Sequence, residues 1–128
     1  ATDILKTIGI TCWVKDETLL DAVTAVSGSG PAYYFLVMEA MIEAGIQLGL
    51  DPETAKELTL QTALGAAVLA SQSDYSPMEL RQQVTSKGGT TEQALLTLES
   101  GGLRSLFKDA LQSAADRSKE MGDLFSQN

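Results

Sequence analysis

The three prolines of the chain divide its sequence into helix-sized segments, because each stands where a helix can begin. Pro52 follows Asp51 and Pro77 follows Ser76, and both preceding residues are of types that cap helix N-termini. Pro31 follows a glycine-rich stretch. Proline is well tolerated in the first helical turn, where its missing N–H would have no intrahelical acceptor. The pattern therefore predicts helices that start at these three prolines.

Apolar residues at helical spacing fill nearly all of the sequence after residue 16. The predicted helices cover residues 17–26, 31–48, 52–72, 77–85, 90–100 and 103–125. Only 5% of residues are aromatic, and the apolar remainder is mostly Ala, Leu, Val, Ile and Met. Such a mix favours helices packed closely through small side chains. The sequence predicts an all-α bundle of about six helices.

Residues 1–16 follow a different pattern. "DILKTIG" is typical of a short helix that ends at Gly9, and "ITCWVKD" alternates as a short strand does. One strand cannot form a sheet alone, so we expect its partners elsewhere. Because the chain opens inside "ATDILKTIG" without methionine, we expect a fragment of a longer protein. We therefore divide it into an N-terminal helix and strand stub, residues 1–16, and a helical domain, residues 17–128.

Composition excludes several function classes. The net charge of −8 and the pI near 4.3 argue against nucleic acid or an anionic membrane as a partner. The chain has no histidine, which excludes Ser-His-Asp or Cys-His catalysis and His-ligated metal, and we expect no metal site. The single cysteine, Cys12, fits a reducing cytoplasm. Glu39 and Glu43 make the longest apolar stretch too polar for a lone membrane span.

The stretch "VTSKGGTTEQAL", residues 84–95, places two glycines between hydroxyl residues just ahead of a predicted helix. Thr90 or Thr91 is the predicted N-cap, answered by Glu92 or Gln93. Two glycines let the backbone turn so that its N–H groups face one concavity, and the helix N-terminus adds partial positive charge. The loop could bind a carboxylate or phosphate. Alternatively, it is a helix–loop–helix connection whose glycines serve only sterics.

A second glycine-rich stretch, "SGSGPAYYF", also precedes a predicted helix. It is not the dinucleotide-binding fingerprint, because no strand leads into it and Tyr33 stands where the third glycine is required. From its residues alone, this stretch is either a second candidate binding loop or a flexible joint that leads into a helix.

Three segments together carry a family resemblance. "AVSGSGPAYYF", "LGAAVLA" and "SPMELRQQVTSKGGTTEQALLTLESGGLRSLFKDAL" resemble the C-terminal domain of pyrroline-5-carboxylate reductase, over residues 12–120. The resemblance implies a helical domain of the 6-phosphogluconate dehydrogenase C-terminal-like type. It also implies an N-terminal domain that holds NADPH or NADH and is absent here, with residues 1–16 as its last helix and edge strand. The implied reaction is reduction of Δ1-pyrroline-5-carboxylate to L-proline in proline biosynthesis.

The resemblance also implies roles for particular residues. The paired-glycine loop would hold the substrate carboxylate, with Ser86, Gly89 and Thr90 as donors. Thr91 matches the catalytic threonine whose hydroxyl contacts the ring nitrogen, and it is counted among the substrate-binding residues. Lys87 stands where many relatives have proline. In the family, a further segment lies near the active site at the junction of the two domains. It corresponds here to Ser27, Gly28, Ser29, Gly30 and Pro31.

Assembly and activity follow from the same resemblance. The helices that start at Pro31 and Pro52 resemble the intertwined helices of a homodimer, and the family also forms higher oligomers of dimers. We expect a cytoplasmic protein whose isolated 128-residue chain binds no cofactor tightly and has no reductase activity. Two alternatives are a non-catalytic helical homodimerisation module and the C-terminal domain of another two-domain dehydrogenase.

Overall fold

The computed structural model describes residues 17–126, and no strand occurs in this range. The helices are α1 (Glu17–Val23), α2 (Gly30–Gln47), α3 (Pro52–Gln72), α4 (Pro77–Gln83), α5 (Thr90–Ser100) and α6 (Leu103–Ser126), with a π-helical segment, Thr24–Gly28, continuing α1. The prediction of an all-α protein of about six helices is confirmed. The predicted helix and strand of residues 1–16 lie outside the described residues.

The predicted cap of α3 is present. Asp51 accepts hydrogen bonds from the Thr54 N–H at 3.2 Å and from the Thr54 hydroxyl at 2.6 Å, and Pro52 is the first helical residue. The hydroxyl bond, and then the amide bond, favour the ionised carboxylate and so lower the pKa of Asp51. The start of α3 is therefore determined by adjacent residues alone.

The predicted capping box of α4 is also confirmed. The Ser76 hydroxyl oxygen accepts the Glu79 N–H at 3.2 Å, and the Glu79 carboxylate accepts the Ser76 N–H at 3.2 Å. These two bonds satisfy N–H groups that have no acceptor inside the helix. These bonds stabilise a helix of only seven residues, and that helix leads directly into the paired-glycine loop.

We expect Ser76→Ala to lower the free energy of unfolding by about 1 kcal/mol, because the Glu79 N–H loses its acceptor. Urea denaturation at fixed protein concentration measures the change. Ser71→Ala is the control: the Ser71 hydroxyl donates to the Val68 carbonyl within α3, where alanine is the better helix former. Equal losses in the two variants would contradict a capping role for Ser76.

The described residues divide into two compact units, and the first comprises residues 17–34 and 103–126. Here α6 packs on α1 and the π-helical segment through a stripe at helical spacing, formed by Leu111, Ala114, Ala115 and Ser118. Ala25 is 2% exposed, and the Ser118 hydroxyl donates to the Asp21 carboxylate at 2.8 Å. The Tyr33 and Phe107 rings meet edge to face at 6.5 Å between centroids. A narrow seam of small residues and one aromatic pair thus hold this unit.

The second unit comprises residues 35–102. Its buried residues lie where α2 turns back into α3. A β-carbon at Gly45 would lie 3.5 Å from both the Ala55 β-carbon and a Leu50 methyl group, which is ordinary van der Waals contact, so α2 and α3 pack side by side here without requiring the glycine. Ala55 and Thr59 are buried on the facing side of α3.

Most large apolar side chains in both units are exposed. On α2, Tyr34, Phe35 and Leu36 are 69%, 62% and 66% exposed. The other exposed large apolar side chains on α2 and α3 are Val37, Met41, Ile46, Leu58, Leu60, Leu64, Val68 and Leu69. A search for membrane spans within residues 17–126 finds no helix with the necessary length and apolarity.

Candidate functional site

The paired-glycine loop, residues 84–89, joins α4 to α5 within the second unit. It begins where α4 tightens and ends: the Val84 N–H donates to the Leu80 carbonyl at 3.3 Å, and the Thr85 N–H to the Gln82 carbonyl at 3.2 Å. The Thr85 hydroxyl donates to the Arg81 carbonyl. These bonds use the last carbonyls of α4 and direct the chain into the glycines.

A type II β-turn forms the centre of the loop. The Gly89 N–H donates to the Ser86 carbonyl at 3.0 Å, and Gly88 at the third turn position has a φ of +76°. Lys87 occupies the second turn position and has a negative φ, as do all non-glycine residues of the described chain. A negative φ at the second position followed by a positive φ at the third defines type II. A β-carbon at Gly89 would lie 3.2 Å from the Ser86 carbonyl oxygen. The positive φ of Gly88 therefore requires glycine at that position, whereas a side chain at Gly89 would make a tight contact with the Ser86 carbonyl.

The N-terminus of α5 differs from the prediction. The N-cap is Gly89, with φ −89° and ψ −179°, so the expected cap at Thr90 or Thr91 is wrong. The first intrahelical bond runs from the Gln93 N–H to the Gly89 carbonyl at 3.3 Å. As a result, the N–H groups of Thr90, Thr91 and Glu92 have no carbonyl acceptor in α5. They form the positive end of the helix dipole beside an uncapped glycine.

The side chain of Glu92 turns back over the loop. Its carboxylate accepts the Gly88 N–H at 3.1 Å. In a capping box the third helical residue accepts from the N-cap itself. Here it accepts from the residue before the N-cap, because the N-cap N–H already donates to Ser86. The sequence indicated Glu92 as a capping residue but not this acceptor–donor pair.

A groove of about 280 Å³ lies beside the loop in the second unit. Its lining is Arg81, Thr85, Glu92, Leu95, Leu96 and Glu99. The four α5 residues stand at i, i+3, i+4 and i+7, so they share one helical face. Sequence reasoning did not single out this groove, although that spacing was readable in the sequence.

The structure brings the loop residues implied by the resemblance together. Ser86, Thr90 and Thr91 are exposed and Gly89 is half-buried, all around the start of α5. The Gly89 N–H is already used inside the turn. Within α5 and its N-cap, the main-chain donors without an intrahelical acceptor therefore begin at Thr90.

The second glycine-rich segment, Ser27–Pro31, belongs to the first unit and spans the end of the π-helical segment and the start of α2. The Ser27 hydroxyl donates to the Val23 carbonyl at 2.9 Å, and the Ser29 N–H to the Thr24 carbonyl at 2.8 Å. The predicted end of the first helix near residue 26 is therefore wrong, since helical winding continues through Gly28. This segment is not preceded by a strand in the described chain, and so it lacks the geometry of a dinucleotide-binding turn.

Within residues 17–126, no group of three or more His, Cys, Asp or Glu side chains is arranged so that it could hold a metal ion.

Comparison with known proteins gives consistent matches. Residues 17–121 match the family model for pyrroline-5-carboxylate reductase dimerisation. The chain is 52% identical over 127 residues to the pyrroline-5-carboxylate reductase of Pseudomonas aeruginosa, covering 99% of the chain and 46% of that protein. The chain thus spans just under half the length of this relative.

Solved structures agree with the sequence matches. A pyrroline-5-carboxylate reductase from Coxiella burnetii superposes with a TM-score of 0.87 at 54% identity, over 93% of this chain and 44% of that one. The pyrroline carboxylate reductase of Plasmodium falciparum, with NADP bound, gives 0.84 at 36% identity, over 94% of this chain and 46% of that one. From these matches we conclude that the chain belongs to the pyrroline-5-carboxylate reductase family and carries its dimerisation domain.

Proposed function

We propose that this chain is the dimerisation and substrate-loop domain of an enzyme that reduces Δ1-pyrroline-5-carboxylate to L-proline with NADPH or NADH. The observation that carries the proposal is the set of amides at the start of α5, which lack intrahelical acceptors, in a chain of this family. We further propose that residues 1–16 end the cofactor domain, that residues 17–128 form the helical domain and that the protein is cytoplasmic.

In this proposal the substrate carboxylate binds at the first turn of α5. The amides of Thr90 and Thr91 and the Ser86 hydroxyl can donate to it, and the helix dipole adds attraction. Gly89 contributes by closing the type II turn rather than through its own N–H, which donates to Ser86. The net charge of −8 does not prevent anion binding, because salt screens distant charges while these donors make direct contact.

Thr91 acts on the ring nitrogen. When bound, the nicotinamide cofactor supplies the hydride that adds to the imine carbon. A hydroxyl that donates to the ring nitrogen makes that carbon more electrophilic, and the bound carboxylate fixes which ring face is presented. Neither step needs a nucleophile or a metal from this chain.

Only a small part of the cofactor site is proposed to lie on the residues described here. The segment Ser27–Pro31 continues a π-helical turn into α2, so it cannot present the strand–turn–helix that holds a dinucleotide phosphate. We place the cofactor mostly on the part of the enzyme outside this chain, with Ser27–Pro31 close to the junction between the two domains.

A homodimer is the proposed assembly. Residues 33–38 of α2 are six consecutive apolar residues, which is more than one full helical turn, so this part of the helix has no polar face. A helix that is apolar all round is normally buried, yet Tyr34, Phe35 and Leu36 are exposed in the single chain. A second copy would cover this surface, and larger oligomers could then be built from such dimers.

We expect the full-length protein to catalyse NADPH- or NADH-dependent reduction of Δ1-pyrroline-5-carboxylate, and the isolated 128-residue chain to show no turnover. The physical reason is that the hydride donor, the nicotinamide cofactor, is proposed to bind mostly outside this chain. Absorbance at 340 nm measures both rates. Turnover by the isolated chain would contradict the proposed division of roles, and an inactive, folded full-length protein would contradict the proposed activity.

An NMR titration of the isolated chain tests the loop separately. L-proline and a cyclic carboxylate analogue should shift the backbone amide signals of residues 86–91 if the site is preformed. The absence of shifts at high ligand concentration would mean that this chain alone is only a dimerisation domain.

A further inference from the structure

Glu92 has an unusual position for a first-turn glutamate. It is the third residue of α5, it is half-buried, and its carboxylate reaches the Gly88 N–H at 3.1 Å while also lining the groove beside Leu95 and Leu96. Its side chain therefore joins the first turn of α5 to the middle of the preceding β-turn.

The bond involves the peptide group that defines the turn type. Types I and II differ mainly in the orientation of the central peptide, here the one between Lys87 and Gly88. Rotation of this peptide would turn the Gly88 N–H away from Glu92 and put the Lys87 carbonyl oxygen in its place, so the hydrogen bond would be lost. The Glu92 side chain therefore favours the type II form by accepting the Gly88 N–H.

The type II form also determines what the loop offers to a ligand. Both turn types can keep the Gly89 N–H on the Ser86 carbonyl, but the type II form directs the Gly88 N–H towards the first turn of α5, where Glu92 accepts it. In the other form the Lys87 carbonyl oxygen would face this turn beside the Thr90 and Thr91 amides, and its negative dipole would disfavour a carboxylate bound there.

We propose that Glu92 is a positioning residue of the paired-glycine loop: by accepting the Gly88 N–H, it holds the turn in the form that leaves the Thr90 and Thr91 amides open to the substrate carboxylate. The inference rests on the proposed function of that loop. Glu92 itself does not touch the substrate.

Kinetics of the full-length protein test this role with two replacements. Glu92→Ala removes the acceptor, and we expect the KM for Δ1-pyrroline-5-carboxylate to rise about tenfold while kcat stays within about threefold. Glu92→Gln retains an acceptor oxygen, and we expect KM within about threefold of wild type. Glu53→Ala is the control, since it removes a carboxylate from the first turn of α3 and should leave both constants unchanged.

Two results would overturn the inference. One is a KM for Glu92→Ala within threefold of wild type; the other is an equal rise in KM for Glu92→Gln and Glu92→Ala, which would indicate charge rather than hydrogen bonding. If Glu92→Ala instead disrupted the fold, kcat and the amount of folded protein would fall together. A loss of loop positioning would raise KM and leave kcat within about threefold.

A direct measurement of the turn separates failure of this inference from failure of the proposed function. In the isolated chain, the amide signals of Gly88 and Gly89 should move in Glu92→Ala and remain near their wild-type positions in Glu92→Gln and Glu53→Ala. Unmoved signals in Glu92→Ala would contradict the positioning role whether or not the enzyme is active. If these signals move but the wild-type full-length protein is inactive, the proposed function fails and the substrate role of Glu92 fails with it.

Discussion

Thr91→Ala in the full-length protein is expected to lower kcat/KM for Δ1-pyrroline-5-carboxylate about a hundredfold, mainly through kcat. The hydroxyl is proposed to donate to the ring nitrogen as hydride adds to the neighbouring carbon, so its contribution is greatest in the transition state. The carboxylate is held by main-chain amides that the substitution leaves in place, and KM should therefore change little. Steady-state kinetics with the cofactor saturating measures both constants.

Two further variants control for indirect effects at this position. Thr91→Ser keeps the hydroxyl and should retain activity within about tenfold of wild type. Thr97→Ala removes a hydroxyl from the same helix that only donates to the Gln93 carbonyl, and it should leave kcat/KM unchanged. A Thr91→Ala enzyme with wild-type kcat, or a Thr91→Ser enzyme as slow as Thr91→Ala, would refute the proposed role.

Leu36→Glu is expected to weaken the proposed homodimer at least about a thousandfold. Leu36 lies within the all-apolar part of α2 and is 66% exposed in the single chain, so a partner helix is expected to bury it. In a twofold dimer each substitution buries two carboxylates, at a cost of several kcal/mol for each ion. Sedimentation equilibrium over a range of concentrations measures the dissociation constant.

Gln47→Glu is the matched control for the dimer. It adds the same charge to the last residue of the same helix, outside the all-apolar segment, and should leave the dissociation constant within about tenfold of wild type. If Leu36→Glu remained dimeric at the same concentrations as wild type, α2 would not form the interface.

Helix starts were predictable where the determining contacts are local. Asp51 caps α3 through a residue three positions away, and Ser76 and Glu79 cap α4 through each other. Each contact spans one helical turn, so residue types and spacing were enough to locate it.

The start of α5 was less predictable because two local arrangements compete there. Thr90 and Thr91 are good capping residues, but the glycine pair folds into a type II turn that places Gly89 at the N-cap. Residue types and spacing do not decide between them, because both arrangements use contacts within four residues; in the structure Gly88 has a φ of +76° and its N–H donates to the Glu92 carboxylate. The π-helical continuation of α1 was missed for another reason: the contacts that accompany it are more distant in sequence, namely packing on α6 and the bond from the Tyr33 hydroxyl to the Ala25 carbonyl at 2.7 Å.

Residue types and their spacing were enough to predict the all-helical class, the helix starts at Asp51 and Ser76, and the location of the candidate anion loop. These features follow from hydrophobic spacing and from capping contacts that residue types and spacing identify. The folded backbone was needed to show which of the competing local hydrogen bonds form in the loop, and therefore which amides remain available and that Glu92 contacts the turn and lines the groove. Such choices depend on which N–H groups already have acceptors, and this is a property of the folded backbone rather than of any residue type.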